Sequence, residues 1–305
     1  MGKRQLILLV GLPYVGKSSI HRIVFGKKTP GETTNLKPTL HIQKIKIEGL
    51  NSMMEVWDIP GSILMEMDET IMREILEETI SVVYVFTCQT QSFSEQMNYM
   101  SAFVELAHSI NDKIIFEFLL HKWNSEGITD DKINMKTDVE ALSKQALLNK
   151  KINIDFNVTL TSIYDNSLYS FFSSLLNIVY IKSSVFNELL ENYVEKCPAN
   201  DAFLIHIPTR LYIATTKGNS SSYGFCKEAF NFFIDVFSTY SSEQQLEEGK
   251  TMIQCDNHSH VYLKVVSPYL CLVMLLGDTQ ERDIGLYDYN FTILQKGIEE
   301  LLGSN

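Results

Sequence analysis

Gly11-Leu12-Pro13-Tyr14-Val15-Gly16-Lys17-Ser18 follows the apolar run Leu6-Ile7-Leu8-Leu9-Val10 and precedes a stretch, residues 19–25, that reads as helix. A buried strand, a glycine-punctuated loop ending in Lys-Ser and then a helix are the setting in which this spacing binds phosphate. The glycines let successive backbone N–H groups turn toward one anion, and the helix N-terminus behind them adds its dipole. Gly11, Tyr14, Val15, Gly16, Lys17, Ser18 and Ser19 are therefore the candidate phosphate cradle. Lys17 has the reach for the β- and γ-phosphates, and the Ser18 hydroxyl suits a Mg²⁺ ion.

Outward from this loop the hydrophobic pattern alternates between strand and helix. Strands are expected at 40–47, 53–57, 82–87, 114–120 and 154–160, with helices at 67–80, 93–109, 136–148 and 167–179. Apolar strands separated by helices predict an α/β fold, a doubly wound and mostly parallel sheet, with ligand at the carboxyl ends of the strands. In the first of these strands the alternation slips at Gln43-Lys44, which predicts a bulge or a change of buried face there. The pattern changes near residue 181. A helix at 183–196 is followed by strands at 202–207 and 211–216, an aromatic helix at 223–239, strands at 252–255, 260–266 and 269–276, and a last helix at 286–302. The expected organisation is an α/β domain over residues 1–182 and an α+β domain over residues 183–305. The aromatic helix reads as core and dimer interface rather than as a platform for nucleobases.

Composition narrows the function classes. The 305 residues carry a net charge of −11, which argues against broad electrostatic binding to nucleic acid or anionic lipid. The five cysteines, at 88, 197, 226, 255 and 271, form no C-x-x-C pair and no metal-ligand spacing. With no signal peptide, they fit a reducing compartment, that is, a cytoplasmic protein. The longest apolar runs are far too short to span a bilayer. Position 6 is Leu6, which breaks the myristoylation pattern, so direct membrane insertion is not expected and any membrane location comes through a partner.

Further motifs follow the loop in a meaningful order. Asp58-Ile59-Pro60-Gly61 closes the strand at 53–57, where a carboxylate can hold the Mg²⁺ shell and the glycine N–H can face a γ-phosphate. Thr39 stands after a polar loop, in the place of a threonine that closes over Mg²⁺. The candidate metal set is Ser18, Thr39 and Asp58. After the strand at 114–120 comes His121-Lys122-Trp123-Asn124, where GTPases carry Asn-Lys-x-Asp, and after the next strand comes Leu160-Thr161-Ser162-Ile163, the place of the loop that reads the base carbonyl.

His-Lys in place of Asn-Lys, followed by Leu160-Thr161-Ser162-Ile163-Tyr164-Asp165-Asn166-Ser167, resembles the Rag small GTPases, most closely the RagC/RagD type and its fungal counterpart. The stretches Ala202-Phe203-Leu204, Leu211-Tyr212-Ile213-Ala214-Thr215, Val261-Tyr262-Leu263-Lys264 and Gly285-Leu286-Tyr287-Asp288-Tyr289-Asn290-Phe291 are similar to the C-terminal roadblock domain of that branch. The resemblance covers residues 4–302. It implies a Ras-like P-loop GTPase domain followed by a roadblock-type dimerisation domain. It assigns base contacts to His121, Lys122, Asn124, Ser162 and Ile163, with the backbone N–H groups of Ser162 and Ile163 facing the base carbonyl. Lys17, Thr39, Gly61 and Ser62 become the residues of GTP hydrolysis. It further implies GTP/GDP and Mg²⁺ as ligands and a heterodimer with a RagA/RagB-like GTPase through the C-terminal domain. A scaffold complex would recruit the pair to the lysosomal or vacuolar surface, nucleotide state would control the target-of-rapamycin kinase complex in amino-acid signalling, and a GTPase-activating protein would assist turnover.

Two positions depart from that pattern. Ser62 stands where a glutamine orients the attacking water, and a serine is too short to do so unaided, so intrinsic hydrolysis should be slow. Asn124 stands where a carboxylate accepts from guanine N1–H and its exocyclic amine. An amide offers one acceptor and two donors, a mismatch with guanine that suits xanthine better. Both departures also fit a different class, a pseudo-GTPase scaffold contributing mainly a dimer surface. Side-by-side affinities for GTP, GDP, XTP and XDP with Mg²⁺ test the base argument. Asn124 predicts xanthine nucleotides gaining on guanine nucleotides, whereas tight guanine binding would mean that neighbouring contacts compensate for the amide.

Overall fold

A computed structural model describes residues 4–50, 53–62, 67–88, 93–122, 130–197, 199–217, 220–240, 249–255, 259–277 and 284–303. The chain divides into two compact units, Met1–Ile47 with Ser52–Leu168 and Glu48–Asn51 with Tyr169–Asn305.

In the first unit the opening apolar run becomes β1 (Gln5–Val10), the central strand. It pairs in parallel with β3 (Met54–Asp58) on one side and β4 (Thr79–Thr87) on the other, so Leu6 through Val10 are all buried. Covered on both faces and both edges, such a strand has no use for polar side chains, which is why it reads as an unbroken apolar run. β5 (Ile115–His121) and β6 (Val158–Leu160) extend the parallel sheet, and β2 (Gln43–Ile47) closes the other edge antiparallel to β3, giving the order β2-β3-β1-β4-β5-β6. Helices α1 (Lys17–Ile20), α2 (Glu69–Glu77), α3 (Phe93–Ile110) and α4 (Asp130–Asn149) lie between the strands. The core is aromatic: Phe86 meets Phe118 edge-on at 5.7 Å, with Tyr84 alongside at 4.7 Å from Phe86.

The register sets the position of every loop that matters. Leu9 lies opposite Asp58, Val10 opposite Tyr84, Thr87 opposite His121, and Leu120 opposite Leu160. The chain therefore leaves β1, β3, β5 and β6 at one edge of the sheet, and the segments beginning at Gly11, Ile59, Lys122 and Thr161 become neighbours.

Several local expectations change. The first predicted strand starts at Gln43 rather than at residue 40, Leu40 is 67% exposed, and β2 pairs with β3 without a bulge. The slip at Gln43-Lys44 marks where pairing begins: Ile45 and Ile47 turn inward, while Lys44 lies over the Trp57 ring at 3.7 Å. α2 is shorter than the 67–80 stretch, because Asp68 caps it by accepting from the Thr70 N–H at 2.9 Å and Thr79 already belongs to β4. The predicted helix at 19–25 begins earlier, at Lys17, and continues as a π-helix over His21–Phe25, with the Gly26 N–H donating to His21 O at 3.2 Å.

The second unit is α+β, an antiparallel sheet in the order β8-β7-β11-β10-β9. Its strands are β7 (Asp201–His206), β8 (Leu211–Thr215), β9 (Lys250–Gln254), β10 (His260–Ser267) and β11 (Leu270–Leu276). The aromatic helix α7 (Ser220–Tyr240) buries Tyr223, Phe230 and Phe233 against Phe203, Ile205 and Tyr212, and leaves Phe232 exposed. Helix α6 (Ser183–Lys196) packs with the C-terminal helix Ile284–Gly303, where the Tyr193 hydroxyl donates to Tyr287 O at 3.0 Å.

The division falls within α5 (Ser167–Val179), not after residue 182. Side chains of that helix explain it. Ser173 Oγ donates to the Tyr223 hydroxyl at 3.0 Å, Ser174 Oγ lies 2.9 Å from the Tyr212 hydroxyl, and Asn177 Nδ2 donates to Ile213 O at 2.9 Å. Residues 48–51 join the second unit in the same way. His206 Nε2 donates to Glu48 O at 2.7 Å and the Tyr180 hydroxyl to Leu50 O at 2.9 Å.

Candidate functional site

The four segments leaving the sheet edge, with the stretch 33–39 ahead of β2, enclose a cavity of about 550 Å³. Its lining includes Tyr14, Gly16, Lys17, Ser18 and Ser19 from the first loop, Thr39, and Asp58, Gly61 and Ser62. His121 and Lys122, with Ser162 and Ile163, complete it from the far strands. Of the predicted site residues, Gly11 and Val15 do not line it: Val15 is buried, and Gly11 lies beneath the loop, its carbonyl accepting from Lys17 Nζ at 2.8 Å. Asn124 lies outside the described residues.

Gly16 is required sterically as well as conformationally. Its φ is +108°, and a Cβ there would stand 2.6 Å from His121 Cδ2. The loop therefore packs directly against the imidazole, and His121 is fixed from the other side through Nδ1, 3.0 Å from Thr161 Oγ1. One buried ring thus joins the first loop to the last. Burial, with the Lys122 ammonium second, pushes the His121 pKa down to about 4, so the ring is neutral. Lys122 itself holds a left-handed backbone, φ +61°, strained for a lysine.

At the opposite end Ser18 Oγ donates to Asp58 Oδ2 at 2.6 Å and lies 2.6 Å from Thr39 Oγ1. With its own proton given to the carboxylate, Ser18 accepts from Thr39. Among the described residues Asp58 Oδ1 is buried without a hydrogen-bond partner. Two hydroxyls and a carboxylate with oxygen capacity to spare are a hard-cation donor set and fit Mg²⁺. Thr39 reaches this point ahead of β2 rather than at the start of a strand. Lys17 Nζ also donates to Leu12 O at 2.9 Å, and burial pushes its pKa down to about 8, with Asp58 opposing the shift.

One predicted pair is altered. The Ser162 N–H, expected together with that of Ile163 to face the base carbonyl, instead donates to Ser167 Oγ at 2.9 Å. Ser167 Oγ in turn donates to Asp165 Oδ1, a chain that shapes the loop from within. Sequence reading also missed Thr33, Thr34, Leu36, Lys37, Pro38 and Pro60, which line the cavity ahead of β2 and after Asp58, and three residues beside the motifs. Pro13 and Tyr164 line the cavity, their signal being only their place beside the motifs, and Thr161, which orients His121, sits in the Thr-Ser pair of the last loop.

The fold and the order of these segments define a Ras-like P-loop G protein. The sequence model of the Gtr1/RagA G protein conserved region matches residues 6–233. The chain belongs to this Gtr1/RagA family of GTP-binding proteins, whose members bind GTP or GDP, usually with Mg²⁺, and are GTPases. Ras-related GTP-binding protein C of Homo sapiens is 31% identical over 309 residues, covering 97% of this chain and 76% of the relative. GTP-binding protein gtr2 of Schizosaccharomyces pombe is 25% identical over 314 residues, covering 98% of each. Ras-related GTP-binding protein A of Dictyostelium discoideum aligns over only 215 residues at 25% identity, 69% of each chain. Likeness is thus to the C type over both units. Among the described residues no helix is long and apolar enough to cross a membrane.

The neutral state of His121 predicts acid sensitivity. The unfolded chain takes up this proton near pH 6.5 and the folded chain only near 4, so stability is full above about 6.5 and is lost as pH falls between the two. The share of this one ring comes to roughly 3 kcal/mol by pH 4. Urea unfolding of wild type and His121→Asn at pH 7 and pH 4 reads it as a difference. The variant should lose about 3 kcal/mol less than wild type, and equal losses would contradict the buried, neutral ring.

Proposed function

We propose that this chain is the C-type subunit of a Rag/Gtr GTPase pair, a nucleotide-dependent switch that dimerises through its second unit with an A-type GTPase. By kinship with the C-type relatives, the pair relays amino-acid availability to the target-of-rapamycin kinase complex at the lysosomal or vacuolar surface, to which a scaffold complex recruits it. The observation that carries the switch reading is the meeting of Ser18, Thr39 and Asp58 at 2.6 Å separations, since each comes from a different segment and only two of them lie on or beside the rigid sheet.

In this reading Ser18, Thr39 and Asp58 hold Mg²⁺, which neutralises phosphate charge when bound. Lys17 exchanges its two carbonyl partners for phosphate oxygens, a near-even trade for a buried ammonium already satisfied by the backbone. His121 and Lys122 form one wall of the base subsite, Ile163 offers its N–H to the base carbonyl, and Asn124 weakens guanine relative to xanthine. Ser62 is exposed at the cavity and too short to orient water, so hydrolysis depends on a GTPase-activating protein.

Mixing the purified full chain with an A-type GTPase and following both assembly and single-turnover phosphate release tests this. The expected result is a 1:1 heterodimer and release slower than about 10⁻³ s⁻¹ until a GTPase-activating protein is added. A heterodimer whose C-type subunit binds no nucleotide of either base would replace this reading with the scaffold one.

A further inference from the structure

Tyr99 lies on α3, outside every motif of the site, yet its hydroxyl donates to the carbonyl of Gly61 at 2.9 Å. The ring is not free to wander. It packs on the core of the first unit, with its centroid 6.4 Å from that of Tyr84, a fully buried residue of β4 whose own hydroxyl donates to Gln96 O at 3.1 Å, one turn earlier in α3. Gln96 Oε1 accepts from the Thr87 N–H at 3.0 Å, so this part of α3 is tied to the carboxyl end of β4. Burial pushes the Tyr99 pKa up to about 12, which keeps the hydroxyl a donor throughout the physiological range.

Gly61 is confined from its other side by the phosphate loop. A Cβ at this position would stand 2.6 Å from Gly11 O, 2.6 Å from Pro13 N and 2.7 Å from Leu12 C. The turn therefore lies flat on the loop backbone, with Tyr99 at its back. It does so in the same arrangement in which Thr39 is closed onto Ser18. Both segments of the proposed switch are thus drawn in together, one through a threonine hydroxyl and the other through a tyrosine of α3. The residue that follows Gly61 is Ser62, whose side chain is too short to tie the turn to the far end of a phosphate chain.

We propose that Tyr99 is a positioning residue for triphosphate recognition: it holds the Gly61 backbone against the phosphate loop, so that the turn itself, rather than the side chain at position 62, distinguishes a nucleoside triphosphate from a diphosphate. This rests on the reading of the cavity as a nucleotide site. In that reading the diphosphate ends short of the turn and only the third phosphate meets it, so Tyr99 would act on one ligand and not on the other. It touches neither ligand and works through Gly61.

Equilibrium affinities of the full-length chain and Tyr99→Phe for the diphosphate and a non-hydrolysable triphosphate, in guanine and xanthine series with Mg²⁺, test this. The variant should bind the triphosphate about fivefold more weakly, the loss of one neutral hydrogen bond, and the diphosphate within about twofold of wild type. In a Gly61→Ala background, where the added methyl displaces the turn, Tyr99→Phe should change nothing further. Equal weakening of both ligands, no weakening, or a full additional loss in the Gly61→Ala background would overturn the proposal while leaving the site intact. Failure of wild type to bind any of the four nucleotides would overturn the site reading itself and the proposal with it.

Discussion

The Ser18 hydroxyl sits at the start of α1 with one proton to give and lone pairs to receive, and it is used in both senses at 2.6 Å, toward Asp58 and from Thr39. Much of the first unit can be understood as what that contact requires. Ser18 is held by the strand–loop–helix turn. Asp58 is held because β3 runs parallel to β1 with Leu9 opposite it. Thr39 belongs to neither, since its segment runs unpaired until Gln43, so the contact is where an irregular segment is fastened to the sheet. A neutral hydrogen bond alone contributes only about 1 kcal/mol, too little to fix a loop against its conformational entropy. A cation shared by the same oxygens would add the missing stabilisation, and would do so only when bound.

The opposite end of the cavity is built for permanence. His121 is a buried, neutral ring packed between Gly16 and Thr161. The cavity is thus held by a fully buried side chain at the His121 end and by a hydrogen bond from an irregular segment at the Thr39 end. Local stability is lowest where a segment is held by few buried contacts, which suits the segments that must move.

Sequence reading reached the parts of this arrangement that are local. The strand–Gly–Lys-Ser–helix turn, the order of the motifs along the chain and the parallel sheet all follow from short-range requirements: glycine where the backbone must approach closely, unbroken apolar runs where a strand is buried on both faces. What it missed is set by contacts distant in sequence. Residues 48–51 belong with the second unit through His206 and Tyr180, and α5 belongs there through Ser173, Ser174 and Asn177, none of which carries a local signal. Tyr99 reads as one aromatic on a helix until the fold brings Gly61 to it. The engagement of the Ser162 N–H by Ser167 was likewise hidden, because a serine can serve as base contact or as loop brace and only geometry decides.

The most direct test of the three-oxygen cluster as a conditional fastening is the rate at which a bound fluorescent nucleoside diphosphate leaves the protein before and after chelation of Mg²⁺. Wild type should release it many-fold faster once the ion is removed, and Asp58→Ala should release it fast with or without the ion. Release from wild type that ignores Mg²⁺ would mean that Ser18, Thr39 and Asp58 are held together for structural reasons alone, and the account of this protein as a switch would fail.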